Sequence, residues 1–170
     1  MKNLIASHSH TIYLKSGEVV VARKPVLIST ILGSCVAVTM YSPLRGVGAI
    51  CHAMLPDNGD RDDDLRYVDT ALLHIYRKMV EYGAGKELVV KLFGGAQVLD
   101  AGEGTSSRRT VGEQNVARAG EILASLGLKV AANDTGGLRG RKLFFCTRNG
   151  DVFLRRMGRN KSTGDQEMAT

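Results

Sequence analysis

Ser29-Thr30-Ile31-Leu32-Gly33-Ser34-Cys35-Val36-Ala37-Val38-Thr39 reads as strand, tight turn, strand. Gly33-Ser34 supplies turn chemistry between two runs rich in β-branched residues. Cys35 therefore emerges at the beginning of a strand, where a thiol is held rigidly and stays accessible. A second strand follows in Gly46-Val47-Gly48-Ala49-Ile50-Cys51-His52, and its histidine lies 17 residues after Cys35. That spacing can bring a thiol and an imidazole together across neighbouring strands.

The pair is the chemistry this chain offers. A free thiol is only a few per cent thiolate near neutral pH, and a histidine within hydrogen-bond reach is the usual way to activate it. Cys35 is expected to react well below the ordinary thiol pKa, with His52 as its base. A third group would fix the imidazole's tautomer, and the hydroxyls of Ser29 and Thr30 are the nearest candidates. The backbone amides of Ser34 and Cys35, in the turn, could stabilise an oxyanion.

Strand alternation sorts the other cysteines. Ile50, His52 and Met54 fall on one face and Ala49, Cys51, Ala53 and Leu55 on the other, so Cys51 cannot share the site with His52. Cys146, in Leu143-Phe144-Phe145-Cys146, has an apolar aromatic setting and reads as core. No C-x-x-C pair occurs and adjacent residues on a strand point apart, so no metal is expected, and Gly94-Gly95 and Gly136-Gly137 lack the P-loop lysine and hydroxyl pattern, so no cofactor is expected.

Working outward, further strands are predicted near 11–13, 19–22 and 26–30, with the site strands at about 35–41 and 46–54. Val68, Leu72, Ile75 and Met79 recur at helical spacing within about 65–82, preceded by Asp62, Asp63 and Asp64 as an acidic cap. Leu88 to Phe93 is a short buried-type strand closed by Gly94-Gly95, and the polar stretch 100–109 reads as a loop. Thr110 and Glu113 form a capping box before Val116, Ala119, Ile122, Leu123 and Leu126, and Gly127 ends that helix. Asn149-Gly150 marks a hairpin between 142–147 and 152–156.

A chain of 170 residues that is 44% apolar suits one domain, expected over 1–159, with 160–170 as a frayed tail. No apolar run reaches the ~20 residues of a membrane span, and the first residues lack a secretory core. Three cysteines without framework spacing suit a reducing compartment, so a cytoplasmic location is expected, with no membrane insertion. Residues 139–161 hold eight basic side chains against one acid, which predicts one positive end. With aromatics at 5% and no DNA-binding motif, nucleic acid is not the expected partner.

Leu32 through Val38, Gly48 through His52 and Met54-Leu55-Pro56 resemble the chemoreceptor glutamine deamidase family, known as CheD, in wording and spacing. The likeness continues through Tyr67-Val68-Asp69-Thr70-Ala71, Phe93-Gly94-Gly95-Ala96, Gly112 with Asn115-Val116, and Asp134-Thr135-Gly136-Gly137. It implies a protein-glutamine deamidase, with Cys35 as nucleophile, His52 as base and a thioester intermediate. The family's supporting hydroxyl is usually a threonine six positions before the cysteine. Here Ser29 stands there and Thr30 one step later.

The partners implied are methyl-accepting chemotaxis receptors and a CheC-type phosphatase. The alternative implied is a non-catalytic module that binds receptors and phosphatase. The expected fold is α+β, with mixed and antiparallel β-sheets, sandwich-like, and two main helices packed outside, as in a CheD-like cysteine hydrolase.

Overall fold

The computed structural model describes residues 10–59, 63–98 and 109–158, and the backbone of 166–169. Alternating β-branched and apolar residues give β1 (Thr11–Tyr13), β2 (Val19–Ala22), β3 (Leu27–Leu32), β4 (Val36–Ser42) and β5 (Val47–Ala53). Helix α1 (Val68–Glu81) leads to β6 (Val89–Gly94), and α2 (Val111–Ser125) leads to β7 (Val130–Thr135). The chain closes with β8 (Arg141–Cys146), β9 (Val152–Arg156) and β10 (Gln166–Ala169).

Two five-stranded sheets result, ordered β1-β3-β8-β9-β10 and β2-β5-β4-β6-β7. Both are mixed, because β1 runs parallel to β3 and β7 parallel to β6 while the other pairings are antiparallel. The sheets stack face to face around Ile28, Leu32, Leu143, Phe145 and Leu154 from one and Ala37, Ile50 and Phe93 from the other. The second sheet's opposite face, with Val36, Val38, Met40, Ala49, Cys51 and Ala53, is covered by α1 and α2. Three layers follow, helices on sheet on sheet, so the expected α+β fold with its outer helices is the observed one.

Helix ends show where local chemistry is readable and where it is not. The Thr110–Glu113 capping box forms in full, and Gly127 takes a φ of 69° beyond the C-terminus of α2. The acidic run before α1 behaves otherwise. Asp64 grips the guanidinium of Arg66 at 2.6 Å instead of capping, and Tyr67 is the N-cap with no side-chain bond. The negative charge of the first turn comes from Asp69, whose carboxylate also accepts the Asn58 amide at 3.1 Å.

Cys51 and Cys146 are buried, as alternation and aromatic neighbours require. Strands β7 and β10 carry no clear periodic signal: β7 is half exposed, with Ala-Ala-Asn at its centre. Residues 166–169 pair with β9 within the segment whose polar composition reads as a tail. The predicted loop lies outside the described residues except for Arg109. The Asn149-Gly150 hairpin is wider than a two-residue turn, since Gly150 N–H donates to Cys146 O at 2.9 Å and Cys146 N–H to Asp151 O.

Candidate active site

The seam between the two sheets sets the site. His52 on β5 points into it, on the face of Ile50 and opposite to Cys51. On β3, Ile28, Thr30 and Leu32 point into the same seam from the facing sheet, leaving Ser29 and Ile31 on the outer face. Thr30 Oγ1 accordingly lies 2.7 Å from His52 Nδ1, and it also lies 2.7 Å from the Leu14 carbonyl. Of the two hydroxyls the sequence offers, Thr30 meets the imidazole, and Ser29 faces away with its carbonyl accepting from the Leu14 amide.

Donor accounting fixes the tautomer. A hydroxyl has one proton, and a carbonyl can only accept, so Thr30 donates to Leu14 and must accept from the ring. The ring proton is thus on Nδ1. Nε2 keeps a bare lone pair and faces the Ser16 hydroxyl at 3.4 Å.

Burial dominates the electrostatics. It lowers the imidazole pKa from 6.5 to about 4, against the Leu14 carbonyl and the charge of Glu18, which act upward. Burial also raises the Cys35 thiol above its ordinary value, against the Ser16 hydroxyl and the Cys35 amide, both of which favour the thiolate. The resting site therefore holds a neutral thiol and a neutral imidazole. This corrects the expectation of a thiol that ionises well below the ordinary range: burial disfavours the charged form of both groups, and among the described residues no direct hydrogen bond joins them.

The turn before β4 is clamped through its carbonyls. Gly33 O accepts from Ala96 N–H at 2.9 Å, Cys35 O from Gly95 N–H at 2.8 Å, and Ser34 O from Asn115 Nδ2 at 3.0 Å. Asn115 is fully buried and reaches from α2 to Met54 O as well, at 2.9 Å, so one side chain fastens the Cys35 turn to the end of the His52 strand. Gly94 completes the clamp at a φ of 111°, and a Cβ there would collide with the Cys35 carbonyl oxygen. Among the described residues the Ser34 and Cys35 amides donate to no backbone carbonyl.

Sequence reasoning missed Ser16, Asn115 and Gly94 as parts of this arrangement. Lys15-Ser16-Gly17-Glu18 reads as an ordinary connector, and only the β2–β5 pairing brings it over the site. Asn115 sits inside a helix pattern with nothing local to show its reach. Gly94-Gly95 does carry a positive-φ turn signal, but not the neighbour that demands it. Among the described residues, no group of three His, Cys, Asp or Glu side chains is arranged to hold a metal ion.

Fold and site together define a class: an α+β domain with a cysteine, a tautomer-locked histidine and a supporting hydroxyl at a sheet–sheet seam, suited to covalent acyl chemistry. The family model described as CheD chemotactic sensory transduction matches residues 54–156. The chain is 49% identical over 152 residues, 89% of its length and 92% of the relative's, to a probable chemoreceptor glutamine deamidase CheD 2 of Geobacter sulfurreducens. It is 43% identical over 155 residues to a probable chemoreceptor glutamine deamidase CheD of Maridesulfovibrio salexigens, covering 86% of this chain and 91% of that one. A similarly named protein of Pyrococcus horikoshii is 38% identical over 150 residues, covering 85% and 91%. The chain belongs to the CheD family.

Proposed function

We propose that this protein is a chemoreceptor glutamine deamidase that works through a Cys35 thioester. The observation that carries the reading is the Thr30–His52 contact, because it leaves Nε2 unprotonated and able to take a proton from Cys35. The relatives are named for the glutamine of a chemoreceptor, and the substrate in this reading is such a side chain on a methyl-accepting chemotaxis receptor.

Cys35 sulfur attacks the carboxamide carbon as its proton leaves for His52. A neutral thiol and a weakly basic imidazole make this transfer concerted with carbon–sulfur bond formation, not a preceding ionisation. The Ser34 and Cys35 amides are the donors for the developing oxyanion. His52 then returns its proton to the leaving nitrogen, ammonia departs, and a thioester remains. Water, deprotonated by His52, attacks the thioester carbon; glutamate leaves and the thiol is restored.

A cytoplasmic location and a CheC-type phosphatase partner belong to the same proposal and rest on the family likeness. Among the described residues no helix is long and apolar enough to cross a membrane. The test is incubation with a receptor cytoplasmic fragment, following glutamine-to-glutamate conversion by peptide mass spectrometry. Conversion by the wild type and none by Cys35→Ala is expected. Conversion that persists in the variant rejects the nucleophile, and binding without conversion by either protein favours the regulatory-module reading.

A further inference from the structure

We infer that the Ser16 hydroxyl relays the Cys35 proton to His52 Nε2, making Ser16 a working member of the site. Thr30 fills one nitrogen of the ring, and the group standing at the other is Ser16 Oγ, at 3.4 Å. The same hydroxyl favours the ionised form of the Cys35 thiol, so it stands within reach of both groups. A hydroxyl can accept one proton while donating another, so it suits a position between an S–H donor and a bare imidazole nitrogen.

Ser16 is an exposed turn residue, yet its position is not loose. The turn Lys15-Ser16-Gly17-Glu18 closes with Glu18 N–H on Lys15 O at 3.2 Å, and Gly17 takes the positive φ, 80°, that a type II turn needs at its third residue. Glu18 Oε2 accepts the Lys15 amide at 2.9 Å, and Arg66 packs over Gly17. Gly17 N–H donates to His52 O at 2.8 Å, and His52 N–H donates to Glu18 O at 3.0 Å. The backbone of His52 therefore holds the turn that carries the hydroxyl.

The relay is a double transfer. As sulfur bonds to the electrophilic carbon, the S–H bond breaks and its proton passes to Ser16 oxygen; the serine's own proton passes to Nε2. The products are a carbon–sulfur bond, an imidazolium and an anion that takes the displaced electron pair, the carboxamide oxygen in deamidation or iodide in alkylation, with serine unchanged in charge. This rests on the deamidase reading only in naming Cys35 as nucleophile and His52 as base.

Iodoacetamide alkylation tests the relay apart from the receptor substrate, since it requires the same proton to leave Cys35. Rates for the Cys35 peptide are measured against pH in wild type, Ser16→Ala and Ser16→Thr, with thermal melts to establish folding. For Ser16→Ala we expect about tenfold slower alkylation at neutral pH and a profile displaced upward, a shift of about one pKa unit. Ser16→Thr keeps a hydroxyl and should regain most of the rate.

An alanine variant with the wild-type rate and profile overturns the relay, as does a folded threonine variant as slow as alanine. Receptor-fragment deamidation is run in parallel, and there kcat should fall with KM nearly unchanged. If wild type fails on receptor while the alkylation differences stand, the substrate reading falls and the relay survives.

Discussion

Because Thr30 commits its only proton to Leu14, His52 donates at Nδ1 and keeps its lone pair at Nε2, the nitrogen that the proposed mechanism uses as base. Replacing Thr30 by Val removes the acceptor and strands a buried ring N–H, each lost partner costing about 1–3 kcal/mol. Deamidation should fall by about two orders of magnitude, the scale of general acid–base catalysis, while Ser29→Ala, on the outer face, should stay within about twofold for want of any contact to the ring. Mass spectrometry of the receptor fragment measures both.

Acid reports on the same residue. The folded value of His52, about 4, lies below the ordinary 6.5, so the unfolded chain binds more protons between the two. Its contribution to stability is complete above pH 6.5 and is lost as pH falls toward 4, about 3 kcal/mol in all. Denaturant titrations between those values should show a steeper decline for wild type than for His52→Gln. Equal slopes would mean that the imidazole is not buried in its neutral form.

At the scale of elements, the turn carrying Cys35 depends on α2 and on the end of β6. Asn115→Leu would leave Ser34 O and Met54 O without their donor, and a loss of about 1–3 kcal/mol is expected for each unpaired group. The variant should melt lower and deamidate poorly. Thr110→Ala, which removes the capping box at the start of the same helix, should cost about 1 kcal/mol and leave activity nearly intact in the folded protein. Thermal melts paired with activity at a temperature where both variants are folded separate the two effects.

These elements also show what a sequence can reveal. Strand β5 was readable to the level of which face each residue takes, because a period of two is enough to part His52 from Cys51. Helix α2 was readable because its cap and its stop are local. What could not be read was set by long-range pairing. The choice between Ser29 and Thr30 needed the stacking of one sheet on the other, and Ser16 needed β2 laid beside β5. The thiol's raised pKa needed burial that neither turn nor strand propensity encodes.

Over the whole molecule, the positive end foreseen from composition is smaller than its charge count. Arg141 is 2% exposed and ion-paired to Asp134 at 2.9 Å, and Arg156 shares the same carboxylate. Arg141 also donates to Gly94 O and Gly136 O, so it is a buried brace between β8 and the turns after β6 and β7. Arg141→Met should cost about 3–5 kcal/mol, as breaking one side of a buried pair does, and added salt should hardly change that loss. Among the described residues, the exposed Arg139, Arg148 and Arg155 are left for steering. Association with an acidic receptor fragment should weaken with ionic strength, and their triple serine variant should flatten that dependence; a salt-independent constant in wild type would exclude steering.

Thr30 belongs to one sheet and His52 to the other, so the hydrogen bond between them doubles as a gauge of alignment between two slabs. A slippage of a fraction of an ångström, too slight to unravel either slab, already spoils it. Heat should therefore silence the protein before it melts, and thinning the filling between the slabs at Phe93 or Phe145, remote from the thiol in sequence, should dull turnover out of proportion to the change in melting point.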